Sequence, residues 1–403
     1  MSDTRLEKGA RKILQKDGGV VRRPLADGRE FDVAYIRTGR KKRTPVVVIP
    51  GGPGLASALP YQGFRKLAAK QGLDVIMVEH RGVGLSRADT SGELLQLADV
   101  TVEAAADDIA AVIDEHGLDQ VVVAGTSYGS YLAQVFAVRH PGKVKALVLD
   151  SPMLSVEADL VMVREYRRSL LWDGESEPTA EVAAVIRQLA EKEEPTELAH
   201  VVQVVYEFAG LETLTTLLKE RQAGRLGWLW KRINKMGSGE MDGEGMAYFM
   251  EPKLVRGISF AQLGYGLPAD GGPLDPQLFM VKNAGDAPEF AGETTDLEAA
   301  LDGYDWPTVV ISGDRDLRTP RPVAEKIVQG VPRGTLVPIA ETGHSMLDTH
   351  QLVLIEVLLS LLDFGDEGLA EKADYFAGRP RKGASGKIGK ILSTIVRVKA
   401  KSS

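Results

Sequence analysis

Cysteine is absent from this chain of 403 residues, which excludes disulfides, a thiol nucleophile and cysteine-based zinc sites. A basic excess is absent too. The formal net charge is −7, and an acidic balance argues against nucleic acid as the main partner. No stretch approaches the roughly 18 apolar residues expected of a membrane span, and Met1 to Lys8 lacks the apolar core of a secretory signal. A cytoplasmic location is the expectation. Neither internal repeats nor low-complexity tracts are visible, and 44% of residues are apolar, enough for one large domain with an insertion or for two domains.

What is present is an alternation of short apolar runs with helical patterns. Gly19 to Pro24 and Glu30 to Arg37 flank an Asp27-Gly28 turn and predict a β-hairpin. Val46 to Ile49, Asp74 to Val78, Gln120 to Ala124, Ala146 to Leu149, Thr308 to Ile311 and Thr335 to Ile339 are β-branched runs of the kind found in parallel strands covered on both faces. Between them, Thr101 to His116 places Val102, Ala105, Ala106, Ile109, Val112 and Ile113 on one helical face. The alternation breaks from Pro152 to about Leu301, where charged helical stretches carry Trp172, Trp228 and Trp230. That interruption reads as a cap inserted at the strand ends, where function lives in such folds; an independent second domain is the alternative. The expected organisation is a polar lead-in over 1–18, a core over 19–151 and 302–365, a cap over 152–301 and a basic amphipathic tail over 366–403.

The most specific pattern is Gly125-Thr126-Ser127-Tyr128-Gly129, directly after an apolar run and before a helical stretch ending at His140-Pro141-Gly142. It reads as the nucleophile elbow of an α/β-hydrolase, with glycines where a sharp strand-to-helix turn leaves no room for side chains. In that chain order the acid and then the base follow the serine. Of the six histidines, His344 in Glu341-Thr342-Gly343-His344-Ser345 follows a strand and is the candidate base. His140 suits a helix end, and His200 belongs to the cap. The acid belongs on the loop Ser312 to Pro320, where Asp314 and Asp316 compete. Asp316, beside the helix-start signal Thr319-Pro320, is favoured, while Asp314 suits holding the turn. An oxyanion hole needs two backbone donors: Tyr128 N–H supplies one, and the turn Pro50-Gly51-Gly52-Pro53-Gly54 after an early strand is placed to supply the other.

With these residues together, the chain resembles the prolyl aminopeptidase (proline iminopeptidase) and tripeptidyl aminopeptidase group of α/β-hydrolases. The resemblance covers about 30–155 and 305–363. It rests on Gly51 to Gly54, Arg81-Gly82-Val83-Gly84-Leu85-Ser86, Gly125 to Ser130 with His140-Pro141, Leu147 to Asp150, Gly313 to Asp316 with Thr319-Pro320, and Gly343-His344-Ser345. It implies an α/β-hydrolase fold, mostly a parallel sheet with helices on both faces and an inserted, mainly helical cap. It further implies Ser127 as nucleophile, Asp316 as acid, His344 as base, and Gly52 and Tyr128 as oxyanion donors. Arg81 is read as structural. Two departures stand out: Pro50 replaces the family's usual histidine, and Glu79-His80 replaces its usual Asp-Gln. The resemblance also implies cap carboxylates that recognise a free amino terminus, for which Glu157, Glu165, Glu207 and Glu240 are candidates.

The function expected is acyl-enzyme hydrolysis by a serine, without metal or cofactor, most simply release of residues from the free N-terminus of short peptides. An esterase or lipase-like hydrolase of small acyl compounds needs the same residues and differs only in the cap. A non-catalytic binding module on this fold is the alternative of another class. Oligomeric state is not legible.

A second feature is independent of the site. From Tyr375 onward there are eight basic residues and no carboxylate, and Ile388, Ile391, Leu392, Ile395 and Val396 fall on one helical face. Such a segment suits a peripheral anionic membrane or an acidic protein surface, or the enzyme's own acidic body.

Overall fold

A computed structural model of the chain describes residues 3–39, 43–236, 245–282, 284–382 and 385–401. Helix α1 (Asp3–Asp17) leads into the antiparallel hairpin β1 (Gly18–Pro24) and β2 (Glu30–Thr38). The stretch read as a polar lead-in is therefore a helix, because Ala10 and Ile13 form an apolar edge that packs with Ile36 and Ala58. There follow β3 (Val46–Ile49), α2 (Gln62–Gln71), β4 (Val75–Val78), α3 (Val102–Glu115), β5 (Val121–Thr126), α4 (Tyr128–Arg139) and β6 (Val144–Asp150).

A mainly helical segment then interrupts the alternation, its longest helices being α5 (Val156–Arg168), α6 (Glu177–Ala190), α7 (Pro195–Gln222) and α8 (Gly227–Asn234). The sheet resumes with β7 (Thr308–Gly313), α9 (Arg321–Gly330), β8 (Gly334–Ile339) and α10 (Gln351–Phe364), and the described chain closes with α11 (Ile388–Lys401).

The sheet has eight strands in the order β1-β2-β4-β3-β5-β6-β7-β8. From β4 to β8 all pairs are parallel, and only the β1–β2 and β2–β4 pairs are antiparallel. Alternation along a strand sends successive side chains to opposite faces. Val47, Ile49, Val121 and Val123 face α3, α4 and α9, whereas Val46, Val48, Val122 and Ala124 face α2 and α10. Both faces are thus buried, which is why the central strands are continuous apolar runs.

Helices α6, α7 and α8 enclose their own core, including Val182, Ile186, Val201, Val205, Leu214 and Trp230. Helix α7 is long and apolar enough, by length and composition alone, to cross a membrane, and much of it is buried in the protein. It is the exception to the expectation that no stretch reaches that length, and packing within the cap explains its apolarity. The tail joins the same core: α11 buries Leu392 and Val396 there, with Ile388 and Ile395 packed alongside. Each such side chain removed from water contributes about 1.5–3 kcal/mol. Ile391, expected on that face, is instead 55% exposed.

Candidate active site

Strand β5 ends at Thr126 and α4 starts at Tyr128, leaving Ser127 alone to make the turn at φ 54° and ψ −124°. Such a conformation costs a non-glycine residue about 1–3 kcal/mol. Close packing on either side holds it. A Cβ on Gly125 would lie 2.0 Å from the Gly129 carbonyl oxygen, and one on Gly129 would lie 2.3 Å from that of Ile49. The Ser127 N–H donates to the Asp150 carbonyl at 2.9 Å, fixing the turn to the end of β6.

Two further loops meet there. The loop after β7 carries Asp316, and the loop after β8 carries His344, whose Nδ1 lies 2.9 Å from Asp316 Oδ2 and 3.1 Å from Oδ1. An imidazole that donates from Nδ1 presents Nε2 as an acceptor. Asp316 is buried and also accepts from the amides of Arg318 and Thr319 and from the Thr319 hydroxyl at 2.9–3.0 Å. Burial works against its charge, but His344 and these donors outweigh it and hold the carboxyl below its ordinary range. Burial likewise opposes an imidazolium at His344, and the Asp316 carboxylate more than offsets this, raising the His344 pKa above 6.5. Asp314 plays a different part, accepting the Thr342 amide at 3.1 Å and tying the two loops together.

Asp150 carries a role that the motif alone did not disclose. Its carboxylate accepts the amides of Met346 and Leu347 at 3.0 and 3.1 Å and the Thr126 hydroxyl at 2.8 Å. The neighbouring Ser151 hydroxyl accepts the Ser345 amide at 2.9 Å. The segment just after His344 is therefore fastened to the same strand end that holds Ser127.

The glycine turn completes the floor. A Cβ on Gly51 would stand 3.2 Å from Ser127 Cβ, and Gly52 has φ 123°, with space for a Cβ closed by the Gly54 amide nitrogen at 2.7 Å. The Tyr265 hydroxyl from the cap donates to the Gly52 carbonyl at 3.0 Å. Beneath the turn, His80 Nδ1 is 2.6 Å from the Arg81 carbonyl and Nε2 is 2.8 Å from the Tyr128 hydroxyl. The carbonyl requires Nδ1–H, so Nε2 accepts from Tyr128. Burial keeps this imidazole neutral, lowering its pKa to about 4. Arg81 is buried and pairs with Asp108 at 2.7 and 2.8 Å, consistent with a structural role. Glu79 accepts the amides of Ser57, Ala58 and Leu85 and so shapes the loop after the glycine turn.

Ser127, Gly51, Gly52 and His344 open into one cavity of about 1850 Å³ roofed by the cap. Its apolar walls include Met153, Val163, Leu263 and Phe279. Among the candidate cap carboxylates, only Glu207 lines it. Glu207 is buried, accepts from Arg318 Nε at 3.2 Å, and has its pKa raised by burial. Glu157 and Glu165 are exposed and do not line the cavity, and Glu240 lies outside the described residues.

The carboxylate that reaches the cavity from α5 is Asp159, two positions from Glu157 and therefore about 200° round the helix. Val156, Asp159, Val163 and Arg167 form the buried face of α5, and that helical spacing is the signal by which Asp159 is legible. One Asp159 oxygen accepts the Leu154 amide at 2.7 Å, while Oδ1 is buried with no hydrogen-bond partner among the described residues. Burial pushes its pKa up to about 7. Among the described residues no group of three or more histidines and carboxylates is placed to hold a metal.

Comparison with known proteins agrees with this architecture. Residues 44–189 match the family described as alpha/beta hydrolase fold. The proline iminopeptidase of Neisseria meningitidis serogroup A is 30% identical over 133 residues, covering 33% of this chain and 40% of that protein. That of Heyndrickxia coagulans is 34% identical over 112 residues, covering 28% of this chain and 36% of that protein. The chain thus spans well under half the length of these curated relatives. Among solved structures, the esterase RhEst1 from Rhodococcus sp. ECU1013 aligns at a TM-score of 0.47 and 14% identity, over 86% of this chain and 98% of that one.

Proposed function

Since the chain has the α/β-hydrolase fold, we propose that it is a serine hydrolase working through an acyl-enzyme, with Ser127 as nucleophile, His344 as base and Asp316 as the acid that orients it. The observation that carries this reading is the His344–Asp316 pair at 2.9 Å opening into the same cavity as the strained Ser127 and the Gly51-Gly52 turn. In the proposed cycle His344 Nε2 takes the Ser127 hydroxyl proton as Oγ bonds to the substrate carbonyl carbon. The carbonyl oxygen becomes the oxyanion, held by the Gly52 and Tyr128 amides. Collapse expels the leaving group, which takes the proton from His344. Water then repeats the sequence on the acyl-enzyme, its proton passing through His344, and Ser127 is regenerated.

For the substrate we infer a short peptide with a free amino terminus. Asp159 and Glu207, two carboxylates in the cavity, are suited to an ammonium group, and the relatives of the core are proline iminopeptidases. A second reading, an esterase for small acyl compounds, is favoured by one observation: Glu207 is already paired with Arg318, so that of these two carboxylates only Asp159 keeps an oxygen without a hydrogen-bond partner among the described residues. A panel of aminoacyl-p-nitroanilides, tripeptidyl-p-nitroanilides and p-nitrophenyl esters, each run beside Ser127→Ala, separates the two. Fast ester turnover with no amide cleavage would refute the peptidase reading and leave the serine mechanism standing.

A further inference from the structure

The cavity that holds Ser127 is not closed by the cap alone. Arg381, Lys387, Ile388, Lys390 and Thr394, all from the C-terminal segment, line it together with Ser127 and His344. Several contacts hold that segment in place. Arg381 donates to the Glu341 carbonyl at 2.7 Å and to the Thr342 hydroxyl at 2.9 Å, two residues before His344. The Ser393 hydroxyl is 2.9 Å from that of Thr213 on α7. A Cβ on Gly389 would lie 1.8 Å from the Phe208 carbonyl oxygen, so α11 meets α7 backbone to backbone beside Glu207. The backbone of Glu207 in turn sits 2.7 Å from where a Cβ on Gly343 would be. One continuous contact path therefore runs from the tail, through α7, to the loop that carries His344.

The tail brings charge of one sign to this position. From Tyr375 onward it has eight basic residues and no carboxylate, so it supplies no internal counter-charge. Lys387, just before α11, and Lys390, in its first turn, are exposed and line the cavity, and among the described residues neither has an ion-pair partner. The same cavity is also lined by the buried carboxylates Asp159 and Glu207.

We infer that the segment from Arg381 to Ile395 is the outer wall of the substrate cavity, and that Lys387 and Lys390 select substrates carrying a carboxylate on the leaving-group side of the scissile bond. The inference rests on the reading of Ser127 as nucleophile. For a peptide held by its amino terminus near Asp159, the group that reaches these lysines is its free C-terminal carboxylate. A rim charge acts through Coulomb attraction across partly solvated space, which is modest per residue and screened by salt.

The test uses the full chain and substrate pairs that differ in one charge: a tripeptide acid against its C-terminal amide, and an acyl ester of 4-hydroxybenzoate against that of 4-hydroxybenzamide. The readout is the acid-to-amide ratio of kcat/KM. The wild type favours the acid by about fivefold at low salt, and the ratio falls as salt rises. It drops to about one in Lys387→Gln/Lys390→Gln and below one in Lys387→Glu/Lys390→Glu, while Arg397→Gln, farther along the same helix, keeps the wild-type ratio. An unchanged ratio in both lysine variants overturns the assignment of the tail. Ser127→Ala separates the two failures, because residual turnover there overturns the nucleophile and not the tail.

Discussion

The hydroxyl of Tyr265, a cap residue, donates to the carbonyl of Gly52 at 3.0 Å, so the roof of the cavity orients the residue whose N–H is the proposed oxyanion donor. A hydrogen bond of this kind contributes about 0.5–1.5 kcal/mol net. Tyr265→Phe is therefore expected to lower kcat by up to about tenfold with a smaller change in KM. Steady-state kinetics on a p-nitrophenyl ester checks this, and an unaltered kcat would mean that Gly52 is held by the turn alone.

The Asp316 carboxylate raises the His344 pKa above 6.5. A general base must be neutral, so kcat/KM rises as pH climbs through the His344 pKa, and the acid limb has its midpoint above pH 6.5. In Asp316→Asn the charge that raises this pKa is gone. The midpoint moves to lower pH and kcat drops by about 10⁴. A pH profile of the wild type and of this variant measures both effects; an acid limb that stays in place in Asp316→Asn would show that the pair does not govern it.

Backbone atoms on both sides of the Ser127 turn leave no room for side chains. Gly129→Ala puts a methyl group 2.3 Å from the Ile49 carbonyl oxygen, an overpacking that costs about 1–3 kcal/mol or more. Gly142→Ala, where nothing lies within 4 Å of the new Cβ, is the control and stays within about 0.5 kcal/mol of wild type. Urea unfolding reads the difference; equal stability of the two variants would mean that the elbow relaxes.

Burial favours the neutral form of Asp159 and pushes its pKa up to about 7. As pH rises through that value it becomes anionic and a better partner for an ammonium group. The preference in kcat/KM for a free-amine substrate over its N-acetyl counterpart is expected to grow across pH 7 and to become flat in Asp159→Asn. A preference that persists unchanged in Asp159→Asn would assign amine recognition elsewhere.

The sheet was legible because its central strands are buried on both faces, so their β-branched runs stand out from a polar background. Ser127, Asp316 and His344 were legible as positions, each on a strand-end loop in one chain order, and the structure brings the three loops to one cavity. Helix α1 was hidden by its charge, since its apolar edge is narrow, with Ala10 and Ile13 buried and Leu14 packed beside them. The cap carboxylates were obscured for a different reason: Glu157 and Glu165 share α5 with Asp159, and only the helical phase set by Val156 and Val163 tells which residue points inward. The docking of α11 depends on Phe208 and Thr213, far away in the chain, and a long-range contact of that kind leaves no local pattern.

If Ser127 is the nucleophile, a fluorophosphonate probe bonds to its Oγ. Intact-mass and peptide mass spectrometry of the treated protein are expected to find one adduct, on the peptide that contains Ser127, and none in Ser127→Ala. An adduct that persists in Ser127→Ala, or a wild type that stays unlabelled under conditions where it turns over substrate, would rule out Ser127 as the nucleophile.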